Sequence, residues 1–496
     1  MRESNKPMSI VQLLRPSSEP TTPPLPAKYQ WWRFVALCVC LSIAIGFNVW
    51  LLIIAPPPSN RYGYIASFVF PWLFSFLPYL VASVLVLMTP PPSPRWRKLE
   101  LALILLGALA LRVILLPVLP DLSRDSWRYL WDARVTLYGY SPYVYPPDNP
   151  VFSHLHDFIY NDSRFHNVPT IYPPAAQAIY LLSYLIFPSN LVALKSIFVG
   201  FDLVTCALLA VLLYRRGLDL SRCLIYAWCP LPVIEFAIQG HLDVLTITFS
   251  LLAVVCSTAQ WRGSRALTGF LIALATLTKF YPLFLLLLLV RRRDWTLLVT
   301  CFSTIVLAYV PYLILGHGSV FGFFATYASE QAPDAGIVPL AVNWIAVPLG
   351  ASKSLTLILS YLADLIVLGS ASLIVLWRRW RNQLSIEAGA IILTGVFFAI
   401  SSHILPWYTT ALLPWIVLLA GPLWKRGYGL KSVGLATLMA WYFACVSIIL
   451  YLFDYLGNWN LYYQLAYLPP LVGFALTGAV ALLRRYGFLN RQISQQ

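Results

Sequence analysis

Residues 120–170 read PDLSRDSWRYLWDARVTLYGYSPYVYPPDNPVFSHLHDFIYNDSRFHNVPT. Six of the chain's 19 acidic residues fall here: Asp121, Asp125, Asp132, Asp148, Asp157 and Asp162. So do three of its six histidines, His154, His156 and His166. Apolar runs flank the stretch on both sides. Only 11% of the chain is charged, so proton-handling groups are concentrated in one polar loop while most of the remainder is apolar scaffold. That contrast decides the fold class: a large polar loop carried by membrane helices.

The wider composition agrees. Of 496 residues, 59% are hydrophobic. Long apolar runs recur from about residue 33 to about residue 483, each near the roughly 20 residues that a bilayer core requires. A spanning backbone must satisfy its own hydrogen bonds, and these runs lack the alternation of strands. The expectation is an all-α, polytopic transmembrane bundle with about 11–13 spans, its large outer loop carrying short interfacial helices. The first apolar run, about 34–54, is too long and too distal for a cleaved signal peptide and reads as a retained span.

The net charge of +15 would suggest nucleic acid in a soluble protein. Here the basic residues cluster in short loops, as the positive-inside rule expects, and no nucleic-acid partner is assigned. The clusters are Arg95, Arg97 and Lys98; Arg215, Arg216 and Arg222; Arg262 and Arg265; Arg291 to Arg293; Arg378, Arg379 and Arg381; Lys425, Arg426 and Lys431; and Arg484, Arg485 and Arg491. Placing them in the cytoplasm sends the run at 99–119 outward and puts loop 120–170 on the extracytoplasmic side. One parity problem remains, because two full crossings between Thr170 and Arg215 would put Arg215 outside. Either the Pro-flanked run at 174–187 is re-entrant or the basic rule fails locally. Lys279 and Pro282, in the middle of the run at 264–290, suggest a broken helix.

The chain divides into a disordered cytoplasmic tail (1–32), two N-terminal spans (33–98), a module containing the outer loop (99–350) and C-terminal transmembrane helices (351–496). The eight cysteines lie in or beside apolar runs and read as small buried hydrophobes. The HLHD run at 154–157 has no established metal-ligand spacing. No metal site and no cofactor is assigned, although assistance by a divalent ion stays open.

The motifs in the loop are specific. Asp125 precedes Arg128-Tyr129 and Trp131-Asp132; Gly139, Ser141-Pro142-Tyr143 and Tyr145-Pro146-Pro147 follow, and Ile171-Tyr172-Pro173-Pro174 opens the next apolar run. This pattern resembles the multi-spanning glycosyltransferases of the GT-C fold, in particular the GT87 group related to polyprenyl-phosphate-mannose-dependent mannosyltransferases. Ala133 stands where that group usually has Gly, and Ser141 where it usually has Asn. The resemblance extends through Gly240-His241-Leu242-Asp243, Lys279-Phe280-Tyr281-Pro282 and Pro406-Trp407-Tyr408, covering about residues 99–420.

The resemblance implies a bacterial cytoplasmic-membrane enzyme. It would move a hexose such as mannose from a polyprenyl-phosphate donor to a lipid or envelope-glycan acceptor, among membrane lipids. Such transfer needs a general base for the acceptor hydroxyl and cations for the departing phosphate. A helix over 123–138 would set Asp125, Arg128, Tyr129 and Asp132 on one face. Asp125 aligns with the family's acid and is taken as the base, with Asp121 second; a helix N-terminal acid is the structural reading of Asp125. Asp132 is expected to orient the loop. Arg112, Lys279 and His403 are candidate groups near the donor phosphate, and His241 with Asp243 a second acid–base pair. Arg128, Tyr129, Asp132, Tyr143 and Tyr172 complete the expected substrate contacts. The competing reading is a transporter or flippase of lipid-linked sugars, which would use the intramembrane charges Lys195, Asp202 or Glu235; the lack of internal repeats tells against it.

Overall fold

The computed structural model describes residues 25–54, 61–320, 337–401, 404–423 and 434–485. His403, the tail up to residue 24, the basic cluster Lys425, Arg426 and Lys431, and Arg491 lie outside them. Among the described residues there are helices and no strands.

Among the described residues, six helices are long and apolar enough to cross a bilayer: Ala27–Ile54, Phe68–Met88, Leu191–Arg215, Trp295–Leu315, Lys353–Trp380 and Leu435–Tyr455. A seventh results if Leu220–Ala227 and Pro230–Ala237, bent by 52°, form one span. The other apolar runs are shorter, among them Pro174–Ile186, Asp243–Ser257, Ser264–Thr276 and Ile386–Ile400. The expected 11–13 spans therefore resolve into six or seven full-length helices and a set of broken ones. Proline explains part of the shortening. It opens Pro174–Ile186 and Pro230–Ala237, where its missing N–H costs nothing.

Two of the long helices, Trp295–Leu315 and Lys353–Trp380, look outward. Lys353–Trp380 leaves Leu365, Ile366 and Leu373 exposed by 69%, 68% and 69%, surface that hydrocarbon rather than water must cover. The N-terminal helices are tied to the rest of the bundle. Helix Ala27–Ile54 begins inside the expected tail, and its buried Arg33 pairs with Glu100 at 3.0 Å and Asp219 at 3.3 Å. Asn48 donates to the Leu111 carbonyl, and Tyr79 to that of Ile225.

Two further intramembrane charges are matched internally. Arg112 Nε lies 2.5 Å from Asp202, whose other oxygen accepts from Tyr226. Lys195 Nζ donates to the Val118 carbonyl. Helix 174–186 has 13 residues, about 20 Å of rise at 1.5 Å per residue, well short of the ~30 Å core.

Candidate active site

Three interruptions of helix come together: 114–124 before the loop helix Asp125–Leu137, the turn 238–242, and the break 277–280. Named bonds join them. The Ser123 N–H donates to Gln239 Oε1 at 3.1 Å. The N–H groups of Ala175 and Ala176 both reach the Leu277 carbonyl, which sets Tyr172 and Pro173 against the broken helix. Thr246 and Thr278 hydroxyls meet at 2.6 Å, fixing helix Asp243–Ser257 to the same break. The expected break at Lys279 is present: helix Ser264–Thr276 stops, and a 3₁₀ turn at Tyr281–Phe284 resumes the path.

Gly240 makes the tight approach possible. Its φ is +68°, a region that side chains disfavour. An added Cβ would lie 3.0 Å from Lys195 Cγ and 3.2 Å from Ser126 Cβ.

The charges at this junction pair across it. Lys279 Nζ lies 2.8 Å from Asp243 Oδ1 and 3.3 Å from the centre of the Tyr408 ring. Asp243 is buried, whereas the Lys279 side chain keeps 17% of its surface. His241 does not pair with Asp243, as the sequence suggested. Its Nδ1 lies 2.8 Å from Glu235 Oε2, and its ring stacks on Trp407 at 3.8 Å. Tyr451 donates to both Glu235 oxygens, at 3.2 and 3.3 Å. The chain direction explains the exchange: Gly240 turns the backbone between Glu235 and His241, and the His241 N–H closes back on the Glu235 carbonyl.

Asp125 opens the loop helix beside this cluster. Burial pushes its carboxyl above the usual aspartate range, opposed by the charges of Arg164 and Lys279 and by hydrogen bonds from Ser123 and Tyr172. A carboxylate so placed has a raised proton affinity with cations in reach, a combination suited to a general base. Tyr172 and Tyr129 meet edge to face at 4.8 Å, and Tyr129 stacks on Tyr180. Burial pushes the Tyr129 and Tyr172 hydroxyls up, so both stay protonated donors at neutral pH.

The rest of the loop holds itself together. Arg128 Nε donates to Asp132 at 2.8 Å while its other nitrogens bind the carbonyls of Phe165 and Val168. Asp132 also accepts from Thr170 at 2.5 Å and Gln177 at 3.0 Å. Arg134 pairs with Asp157, which caps helix Phe158–Asp162. Tyr143 donates to the Tyr172 carbonyl at 2.6 Å. His156 and His166 stack on the two sides of Tyr160, at 3.6 and 4.1 Å. The loop helix is consequently buried along most of its length, rather than lying on lipid with a polar face outward, because its charged face is needed to bind the 164–170 segment.

Of the sequence candidates, Asp125, Tyr129, Tyr172, His241, Asp243 and Lys279 converge. Arg128, Asp132 and Tyr143 form the loop's internal ties, and Arg112 is committed to Asp202. Asp121 precedes Asp125 by one turn's length of chain and makes its own polar contact. Sequence reasoning left Arg164, Trp407 and Tyr451 out of the site and gave Glu235 no partner. Among the described residues no cluster of His, Cys, Asp or Glu has the makings of a metal site.

Fold and site define a multi-pass α-helical membrane protein with a buried acid–base and cation cluster at a junction of broken helices. Residues 171–405 match the model of glycosyltransferase family 87, the family that the loop motifs resemble, a match consistent with a membrane glycosyltransferase. The match takes in Tyr172, His241, Asp243 and Lys279 and stops short of Asp125. No curated protein and no solved structure matches the chain.

Proposed function

We propose that this protein is a GT-C glycosyltransferase that moves a hexose, mannose in the first instance, from a polyprenyl-phosphate carrier to a lipid or envelope-glycan acceptor on the extracytoplasmic side of a bacterial cytoplasmic membrane. Asp125 accepts the proton of the acceptor hydroxyl. The acceptor oxygen bonds to the anomeric carbon with inversion as the carbon–oxygen bond to phosphate breaks, and its electron pair leaves with the phosphate. Lys279 and Arg164 offset the charge that develops there. One carboxylate suffices, since no covalent sugar–enzyme intermediate is required.

The observation that carries this reading is the placement of a partly buried Asp125 near the charge of Lys279, whose pair with Asp243 lies within the matched region. The test is transfer by the purified full chain in nanodiscs, from radiolabelled polyprenyl-phosphate-mannose to membrane lipid extract, with Asp125→Asn alongside. General-base catalysis predicts a loss of about 10²–10⁴-fold in the variant. Transfer that persists in Asp125→Asn removes Asp125 from the role of base. If mannose, glucose and arabinose donors all fail while reconstituted protein moves lipid-linked sugar across vesicles, the reading gives way to transport.

A further inference from the structure

Around Gly240, three fully buried side chains each present a polar atom that has no partner among the described residues: Ser126 Oγ, Gln239 Nε2 and His241 Nε2. Unpartnered buried polar atoms are rare and costly, and three at one turn call for a ligand. Two of the three are donors by chemistry, a hydroxyl and an amide NH₂. Gln239 Oε1 accepts from the Ser123 N–H, which fixes the amide with its nitrogen as the open group.

The third depends on the proton shared between His241 and Glu235. Both are fully buried, and among the described residues the other polar contact to the Glu235 carboxyl is from neutral Tyr451. A carboxylate beside a neutral imidazole would leave an uncompensated buried negative charge. With one proton shared between them the pair is net neutral, either as Glu⁻ and HisH⁺ or as GluH and His. In both forms Nδ1 is engaged with Glu235 and Nε2 carries hydrogen. Trp407 clamps the ring, and the next residue, Tyr408, carries Lys279 over its face.

We infer that Ser126, Gln239 and His241 form a nest of donors for the oxygens of a phosphate group, with Glu235 as the positioning residue that keeps hydrogen on His241 Nε2. Two N–H donors and a hydroxyl free to donate suit an anion rich in oxygen, and the neighbouring Lys279 supplies the charge. This rests on the glycosyltransferase reading for the identity of the phosphate as that of the polyprenyl carrier.

The test is binding of polyprenyl phosphate, polyprenol and inorganic phosphate to the full chain in nanodiscs. His241→Phe keeps the stack on Trp407 and removes the donor; Glu235→Gln with His241→Phe does so without leaving an unpaired carboxyl. His241→Gln restores an N–H near the Nε2 position. Loss of a hydrogen bond to a charged group predicts that the Phe variants bind polyprenyl phosphate about 10- to 100-fold more weakly, that the Gln variant recovers most of the loss, and that polyprenol binds all of them alike. Competition by inorganic phosphate in the wild type alone assigns the nest to phosphate as such; a response confined to polyprenyl phosphate assigns it to the lipid-borne group, and both support the inference. Equal affinity in the Phe variants, or parallel loss of polyprenol, overturns it. His241-dependent phosphate binding by a protein that transfers no sugar would keep the nest and discard the glycosyltransferase reading. Normal binding and transfer in the Phe variants would do the reverse.

Discussion

Two neighbouring regions use polar side chains in opposite ways. In the loop 125–170, Arg128, Asp132, Arg134 and Asp157 are tied to one another and to backbone carbonyls. At the junction of the breaks, polar atoms of Ser126, Gln239 and His241 remain open, and Lys279 keeps part of its surface. The first arrangement makes shape. The second leaves binding capacity, and a site is recognised by what its groups have left over rather than by how many charges it holds.

The comparison can be broken most forcefully at Arg128. Replacing it by Met leaves Asp132 buried without its cation and frees the 164–170 segment, so a stability loss of about 3–5 kcal/mol is expected, measured as a lowered Tm in detergent with or without donor. A stable, inactive Arg128→Met would move that arginine from the scaffold into the site. Next comes Lys279→Gln, made together with Asp243→Asn so that no buried charge is stranded. Loss of an electrostatic contact to the leaving group predicts a fall of about 10²–10³ in kcat with little change in Tm; a change of Tm without a change of kcat would make Lys279 a scaffold residue.

Acid sharpens the contrast further, because the two regions answer it in opposite senses. Burial raises the folded proton affinity of Asp125, with Arg164 and Lys279 opposing it. Its ionised form is needed for turnover, so kcat/KM should decline as pH falls through that raised value, above the ordinary aspartate pKa of about 3.9. The same shift adds stability on the acid side, since the folded state holds the proton more tightly than the unfolded chain. A flat profile across that range would exclude Asp125 as the base.

Asp157 does the reverse. Burial pushes its carboxyl up, but hydrogen bonds and charge from Arg134, with the N–H groups of Ile159 and Tyr160, hold it below the usual range. The stability it provides is present above the unfolded pKa and is lost as pH falls through the folded one. The effect is the smallest of the set, because its side chain is 37% exposed and water screens the pair. Asp157→Asn should lower Tm slightly at neutral pH, with the gap closing in acid; a gap that persists would assign the loss to the helix cap alone.

Local features of the site could be read from residues near one another in the chain. The expected helix at 123–138 is found at Asp125–Leu137, and a lysine and a proline within an apolar run mark the break at 277–280. Helix Asp243–Ser257 starts at Asp243, whose carboxylate turns to Lys279 instead of capping the helix. What stayed hidden depends on the path between distant segments. Asp243 and Lys279 are 36 positions apart, and nothing in their flanks pairs them. Glu235 could be seen as a membrane acid, but its partner depended on the left-handed turn at Gly240. Arg164 lies in a polar stretch without periodicity, and only the folding back of 164–170 onto the loop helix brings its charge to Asp125. How many of the apolar runs stay straight was hidden for a related reason: the runs give hydrophobicity, but prolines and glycines decide how far each continues as one helix.

The carbonyl of Leu277 accepts from both Ala175 and Ala176. This makes the returning end of the outer loop and the break that carries Lys279 one mechanical unit. A displacement that draws Tyr172 outward must either cut both bonds or carry residues 277–279 with it. As long as the two bonds hold, the loop end and the lysine move as one piece, and the position of the charge is set by the position of the loop.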